Sequence, residues 1–132
     1  MSVTAGKSVQ LPREFRRIRL ELARERGHPA GSSRDGYEII APLNRDGHID
    51  AKLWHAHREA CGVTRFRANE DDEVGHLVHR GNTWAFHYDV AGEDDDETGY
   101  RFGDERFVVG EYLSVQEDDK QHTYRIVSVE HL

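Results

Sequence analysis

Two alternating segments joined by Gly81 and Asn82 constrain the fold of this chain more than any other feature. Leu77 and His79 stand two positions apart in residues 74–80, and Trp84, Phe86 and Tyr88 stand at every second position of residues 83–89. Such alternation is typical of β-strands with one buried face, and a two-residue loop that begins with glycine suits a type II′ turn. The sequence therefore predicts a tight antiparallel β-hairpin.

The loop of this hairpin also sets its register, because strand partners are counted outward from the turn. On the face predicted to point outward, His76 lies opposite His87. A loop of another length would give every side chain a different partner. The pairs predicted on the inward, apolar face are Leu77 with Phe86 and His79 with Trp84.

Residues 15–25 admit two interpretations. Ile18, Leu20 and Leu22 alternate with charged residues, which predicts a strand with one buried face. The same region also has helical spacing and residue types that favour helix, with Gly27 as a C-cap. We prefer the strand, and the helix stays open as the alternative at this point. The apolar residues that fit helical spacing are Leu11, Phe15, Ile18 and Leu22.

One helix is predicted among these strands. Asp50 precedes residues 51–61 and can accept hydrogen bonds from the amides of the first turn, and Gly62 ends the helix. Its apolar stripe comprises Leu53, Trp54, His57, Ala60 and Cys61. Further strands are predicted at residues 36–43, 63–67, 107–116 and 122–130, the third with a bulge or bend at Gly110.

Together these elements predict a mainly β domain of the α+β class. The expected architecture is a small, partly open antiparallel β-barrel of six to seven strands, with one α-helix after the second strand. A change of buried face along residues 122–130 supports this curl. We expect residues 1–12 to form a flexible tail and residues 13–132 to form a single domain, which is long enough to bury a core without disulfides.

The balance of charge limits the classes of partner. The chain carries a net charge of −7, which argues against nucleic acid as the main partner because phosphate binding needs a basic surface. Arginines concentrate in residues 13–26, where we expect them to pair with the chain's own acids. The single cysteine, Cys61, excludes an internal disulfide. Since no apolar run could span a membrane and residues 1–15 lack the apolar core of a signal peptide, we expect a cytoplasmic protein.

Several segments resemble a family of short bacterial proteins of unknown function. They are RIRLELARERGHPAGS, GYEIIAPL, GHLVHRGNTWAFHYD, GYRFGDERFVVGEYLSV and HTYRIVSV, and they cover most of residues 13–130. This family has no assigned activity, so the resemblance implies no site residue. The segment GEYLSV followed by YRIVSV is also similar to the end of small RNA-binding-like barrels of the PUA and ASCH type, which implies an RNA-associated barrel.

The acidic run at residues 93–97 opens a segment with the spacing of a calcium-binding loop. Ca²⁺ takes about six to eight oxygen ligands, and Gly99 would allow the sharp turn that aims them inward. Arg101 stands where such loops carry an aliphatic residue, and the preceding segment predicts strand rather than helix. A solvated acidic loop is therefore the preferred interpretation. The ligands would be Asp94, Asp96, Thr98, the Tyr100 carbonyl and Glu105.

His76 and His87 form a second candidate metal site. Cross-strand Cβ atoms lie about 5 Å apart, so both imidazoles could bind one Zn²⁺. No third ligand stands at a recognisable spacing, although Asp89 is one candidate. Two ordinary surface histidines are the preferred interpretation. No cofactor is expected beyond these Ca²⁺ and Zn²⁺ alternatives.

Aromatic residues follow the acidic run along the chain. Tyr100 and Phe102, if exposed, would form a patch beside the acidic side chains of Glu93 and Asp95. An aromatic patch with an acidic rim would select a basic protein or peptide as its partner.

Three functional hypotheses follow from these observations. The favoured one is a non-enzymatic binding or interaction module, since no nucleophile stands in a catalytic motif and no catalytic residue is predicted. The second is a divalent-metal-binding protein or small metal-dependent enzyme that uses the acidic loop or the pair His76 and His87. The third is an RNA-associated barrel, which requires that the arginines of residues 13–26 form one exposed stripe.

Overall fold

Eight strands and two short helices make up the described part of the protein, a computed structural model that covers residues 10–88, 100–103, 105–117 and 120–132. The strands are β1 (Phe15–Leu22), β2 (Ser32–Pro42), β3 (Gly62–Phe66), β4 (Glu73–Arg80), β5 (Thr83–Tyr88), β6 (Tyr100–Phe102), β7 (Tyr112–Glu117) and β8 (Lys120–His131). The helices are α1 (Ala51–Ala56) and the 3-10 helix Arg58–Ala60.

Antiparallel pairing joins each strand to the next, and β1 also pairs with β8, so that the strands close into a barrel. The predicted fold class, a small antiparallel β-barrel with one α-helix after the second strand, is confirmed. There are eight strands rather than six to seven because residues 100–102, expected in a loop, form β6. In the described residues β6 pairs with β7 at one position, Arg101 with Gln116, which makes this the narrowest seam of the barrel.

Residues 15–22 form a strand, and the helical alternative for this region is excluded. β1 lies between β2 and β8, with a register shift against each of them. Ile18 and Leu20 are completely buried, and Leu22 is nearly so. Because side chains of a strand alternate between two faces, all three can point into the barrel, which a helix would not allow.

The hairpin of β4 and β5 has the register that the sequence predicts. Gly81 has φ +60°, the left-handed region that a type II′ turn requires at its first position. The inward face is buried as expected, with Leu77 and Phe86 both in the core. The observed pairs include Leu77 with Phe86, His79 with Trp84 and His76 with His87.

Two glycines let the strands approach each other closely. A Cβ atom on Gly36 would lie 1.9 Å from the carbonyl oxygen of Leu20, on the neighbouring strand β1. A Cβ atom on Gly75 would lie 2.2 Å from the carbonyl oxygen of His87, on β5. Since both contacts are with backbone, a larger residue at either position would push the strands of this small barrel apart.

Helix α1 begins where predicted and ends earlier. The Asp50 carboxylate accepts a hydrogen bond from the Leu53 amide at 3.0 Å, so the predicted cap is confirmed. The prediction of one helix through residue 61 was wrong, because the α-helix ends at Ala56 and a 3-10 helix follows. Since β3 begins at Gly62, the tighter 3-10 turn returns the chain to the barrel within a few residues.

The predicted strand at residues 107–116 was wrong at its start. β7 begins at Tyr112, and before it the chain turns at Gly110, where φ is +95°. Phe107 is still buried, and its amide donates to the Gly47 carbonyl at 2.8 Å. An apolar residue can therefore reach the core from an irregular segment, which the pattern of the sequence does not distinguish from a strand.

The two ends of the barrel differ. Strands β1, β3, β5 and β7 all run towards one end, which we call the mouth and which includes Leu22 and Glu117. The opposite end, called the helix end, carries α1 and the turn at Gly81. The apolar core fills the interior between them.

Candidate ligand site at the barrel mouth

A buried carboxylate stands at the centre of the mouth. Glu117 is the last residue of β7, and its side chain is only 4% exposed. Buried glutamates are rare in proteins unless cations or hydrogen-bond donors surround them, because removing a charge from water is costly. The neighbours of Glu117 therefore decide what this site can do.

The structure surrounds both oxygens of Glu117 with donors. Tyr37 and Tyr124 each donate a hydroxyl hydrogen bond to Oε2, the second at 2.6 Å. Arg67 donates from Nη2 to Oε1 at 3.2 Å, and Nη2 of Arg65 lies 3.7 Å from the same oxygen. Two neutral donors and two guanidinium groups thus compensate the buried charge.

The two tyrosines are held in their neutral form. Burial raises the pKa of Tyr37 far above its ordinary value of 10.0, and the nearby Tyr124 and Glu117 raise it further. Burial is also the main cause of the raised pKa of Tyr124, and Glu117 again adds to it. Both hydroxyls therefore remain protonated donors to the carboxylate.

Arg65 links the buried centre to the rim. Its side chain is 8% exposed, and Nη1 donates to Oε1 of Glu73 at 2.8 Å. Glu73 is half exposed, so Arg65 lies between one buried and one solvated carboxylate. The two contacts hold the guanidinium in one position, and the contact with Glu73 extends the charged cluster from the buried centre to the exposed rim.

His122 stands between two carboxylates at the open side of the site. Its Nδ1 lies 3.0 Å from Oε1 of Glu25, within hydrogen-bond distance. Its Nε2 lies 3.8 Å from Oε1 of Glu117, which is too long for a hydrogen bond. The imidazole is about a quarter exposed, so the side chain is accessible from the mouth.

These groups line a cavity of about 100 Å³. At the rim of this cavity, the Asp35 carboxylate accepts a hydrogen bond from the Ser32 hydroxyl at 2.6 Å and another from the Ala68 amide at 3.3 Å. The rim therefore joins the start of β2 to the segment after β3. The polar side chains of the lining that matter below are Glu25, Asp35, Arg67, Glu117 and His122.

The acidic loop lies mostly outside the described residues. This holds for Glu93, Asp94, Asp95, Asp96 and Thr98, so the Ca²⁺ hypothesis and this part of the proposed partner surface stay predictions. The other two ligands lie within the described part of the chain. Tyr100 begins β6, and the Glu105 amide donates to the Gly103 carbonyl at 3.0 Å.

Phe102 does not lie on the predicted aromatic patch. It is 3% exposed, and its ring packs against Phe86 at 5.4 Å and Phe107 at 5.7 Å between centroids. The expectation of an exposed Phe102 is therefore corrected. Its position in β6 turns the ring into the barrel, where apolar burial stabilises it.

His76 and His87 are directly opposite each other, as the register predicts. Within the described residues, no group of three histidine, cysteine or acidic side chains is placed to hold a metal ion. Asp89, the candidate third ligand, lies outside the described residues, so the Zn²⁺ hypothesis stays a prediction. His79, predicted at the edge of the core, stacks on Trp84 with 4.0 Å between ring centroids.

The arginines of β1 are paired rather than arranged in one free basic stripe. Arg17 lies 3.8 Å from Glu38, and Arg19 donates to Glu21 at 2.9 Å. The expectation that the chain's own acids compensate the arginines of residues 13–26 therefore holds for Arg17 and Arg19. Arg16 instead donates to backbone carbonyls, and Arg24 has no ion pair with a described residue. Cys61 is completely buried, and burial raises the pKa of its thiol to about 12, so it packs as a small apolar residue.

The sequence analysis missed the Glu117 cluster. The signal was present in β7, where Leu113 and Val115 alternate inward and Glu117 continues the same phase. An acid in phase with a buried stripe indicates a buried charge at the end of a strand. Its partners come from β2, β3 and β8, however, and no spacing in the sequence relates them.

The fold and the mouth together define a small antiparallel β-barrel with a polar cavity at one end. Neither a scan against protein-family models nor searches of curated proteins and of solved structures find a match for this chain. Across the described residues, no helix is long and apolar enough to cross a membrane.

Proposed function

We propose that this protein is a binding module whose mouth receives a polar head group with a hydrogen-bond donor beside an acceptor. The observation that carries the proposal is the pair of facing atoms Nε2 of His122 and Oε1 of Glu117, 3.8 Å apart on the wall of the cavity. Small-molecule sites commonly combine a few convergent polar groups with a rigid scaffold.

The donor half of the ligand follows from the tautomer of His122. A carboxylate only accepts hydrogen bonds, so Nδ1 donates its hydrogen to Glu25. In the neutral form of the ring, the form to which this proposal applies, Nε2 is then an acceptor. Nε2 and Glu117 are then two acceptors that face each other. An amino group with two N–H hydrogens, placed beside them, can donate one to each.

The acceptor half of the ligand follows from Arg67. A guanidinium has five N–H donors in a fixed plane, and the structure uses one nitrogen of Arg67 on Glu117. The side chain is about one-third exposed, which leaves the remaining donors able to reach a ligand oxygen at the rim. Donor and acceptor groups side by side describe a primary carboxamide.

The size of the cavity limits how much of a ligand enters. A volume of 100 Å³ lies well below the roughly 300–1,000 Å³ of pockets that take drug-sized ligands. A terminal carboxamide fits this space, whereas a whole drug-sized molecule does not. The ligand is therefore an asparagine-like or glutamine-like end, and the rest of it lies outside the mouth.

A peptide would combine this proposal with the basic partner expected for the acidic loop. The strand ends that flank residues 89–99 are those of β5 and β6, and both lie at the mouth. A basic peptide with a carboxamide side chain would match both features. The two parts of this idea are separable, since the carboxamide site uses the described residues of the mouth alone.

The test is a titration followed by amide chemical shifts in NMR spectra. Acetamide, asparagine and glutamine are the probes, and acetate, aspartate and glutamate are the matched controls without an amino group on the carbonyl carbon. We expect shifts at the mouth with the three amides, and affinity weakened about tenfold by His122→Ala, the scale of one hydrogen bond.

His131→Ala is the matched control variant, because His131 is exposed at the helix end of β8. It should leave amide binding unchanged. Equal binding of carboxylates and amides, or equal binding by wild type and His122→Ala, would overturn the proposal.

A further inference from the structure

Three arginines from three different elements line one groove on the outer surface. Arg24 follows β1, Arg34 lies in β2 and Arg125 lies in β8. The groove has a volume of about 520 Å³ and is open to solvent. It shares only Leu22 with the mouth cavity, so the two sites lie on different sides of the chain that links β1 to β2.

The three arginines of this groove have no ion pair in the described part of the chain. None of the guanidinium groups of Arg24, Arg34 and Arg125 forms an ion pair or hydrogen bond with a described residue. The acid in the groove is Glu21, and its carboxylate is bound by Arg19 at 2.9 Å. Glu21 also lies opposite Arg125 in the pairing of β1 with β8, so the groove carries three arginines and one acid, and Arg19 bonds that acid. The groove is therefore positive overall on a chain whose net charge is −7.

A flat ring lies beside these charges. Tyr112 is 59% exposed, which makes it one of the most exposed large apolar side chains in the described residues. It lies directly opposite Arg125 in the pairing of β7 with β8. Directly opposed side chains share one face of a sheet at about 5 Å, so ring and guanidinium are neighbours on the outer surface.

We propose that this groove binds a nucleotide, with its phosphate on the three arginines and its base stacked on Tyr112. Guanidinium groups match phosphate oxygens through paired, charge-assisted hydrogen bonds. An exposed tyrosine offers a stacking platform for any base, because every base has a flat π-face. The volume of the groove suits a nucleotide-sized ligand rather than a bare ion.

The nucleotide can be free or part of a single strand, and both present the same chemistry to the groove. A single strand adds phosphates on either side, and each contacted phosphate releases counterions and steepens the dependence on salt. This groove is the local exception to the acidic surface. The groove is basic because the pairing of β8 with β1 places Arg125 beside the segment that carries Arg24 and Arg34.

The experiment measures the binding of three probes to the full chain at low salt. The probes are inorganic phosphate, uridine monophosphate and a fluorescently labelled oligouridylate, followed by calorimetry or by anisotropy. We expect Arg24→Ala, Arg34→Ala and Arg125→Ala each to weaken uridine monophosphate roughly tenfold, the scale of one charge-assisted hydrogen bond. The same changes should each lower the salt slope of the oligouridylate by about one.

Tyr112→Ala separates stacking from charge. It should weaken the nucleotide probes roughly tenfold and leave the binding of inorganic phosphate unchanged. Arg45→Ala is the matched control, since Arg45 is exposed in the turn after β2, at the helix end, and its loss changes the net charge by the same amount. Circular dichroism of each variant checks that the barrel is intact.

The results of this experiment distinguish a free nucleotide from a single strand, and they also show whether the proposal fails. Tighter binding of the oligouridylate, with a steeper salt slope, identifies a single strand, and equal affinity for the two nucleotide probes identifies a free nucleotide. The proposal is overturned if uridine monophosphate does not bind, if Tyr112→Ala weakens phosphate and nucleotide equally, or if Arg45→Ala matches the groove variants. None of these results depends on the carboxamide site, because the variants do not touch His122 or Arg67.

Discussion

The two ends of the barrel are closed in different ways. The mouth is closed by the buried carboxylate of Glu117 with its tyrosine and arginine donors. The helix end is closed by aromatic packing, where Trp54 lies edge-on to Trp84 at 5.4 Å between ring centroids. The indole nitrogen of Trp54 also has a hydrogen-bond partner at this end, since Nε1 donates to the Leu77 carbonyl at 2.9 Å.

This difference separates two sources of stability within one small domain. At the helix end, stability comes from apolar area and shape, which depend little on pH. At the mouth, each polar group is stable only while its partners remain, because a buried charge without compensation is costly. A site that binds a polar head group needs buried polar groups with partners, as at the mouth. Apolar packing, as at the helix end, suits an end that is closed.

The largest effect should come from alkaline pH and should reside at the mouth. Folding raises the pKa of Tyr37 and Tyr124 above the ordinary value of 10.0, so both hydroxyls stay protonated in the folded state and ionise on unfolding. Their contribution is complete below that ordinary value and is lost as pH rises above it, by about 1.4 kcal/mol per pH unit for each tyrosine.

Over two pH units the pair should therefore lower the free energy of unfolding by about 5 kcal/mol. Urea unfolding between neutral and alkaline pH measures this loss, and ultraviolet absorbance of tyrosinate reports when the two hydroxyls ionise. Their signal should appear together with unfolding. A stability that stays level as the pH rises above the ordinary tyrosine value would refute the difference between the two ends.

The next largest effect should come from Trp84→Ala at the helix end. Trp84 is 2% exposed, and truncation leaves a cavity beside Trp54 and His79. We expect the free energy of unfolding to fall by about 3–5 kcal/mol. The loss should not grow as the pH rises above the ordinary tyrosine value of 10.0, since the ring contacts of Trp84 in the described residues, Trp54 and His79, include no tyrosine. A loss that grows over this range would show that the two ends are coupled.

A smaller effect should come from Glu117→Gln at the mouth. The amide keeps the size of the side chain and one acceptor oxygen, but it removes the charge that Arg65 and Arg67 compensate. The free energy of unfolding should fall by about 1.5–3 kcal/mol, the scale of a hydrogen bond to a charged group. Glu111→Gln, at an exposed position, is the matched control and should change stability little.

The hairpin and the mouth show how far the sequence alone could lead. The register of β4 and β5 was predictable because a two-residue turn and a period of two are local properties. The start of β7 was not, because Phe107 is buried from an irregular segment and its apolar neighbours have the composition of a strand. Likewise the exposure expected of Phe102 depended on β6, a three-residue strand too short to give a pattern.

The sequence by itself determined an antiparallel barrel with one helix after the second strand, since alternation and turn residues act over a few neighbouring positions. Only the tertiary structure decided the two candidate sites. Glu117 bonds to Tyr37 across eighty positions of the chain, and Arg24 lines the same groove as Arg125 because β8 pairs with β1. Closure of the barrel brings these residues together, and the energy of such contacts depends on distance and burial, which no local pattern encodes.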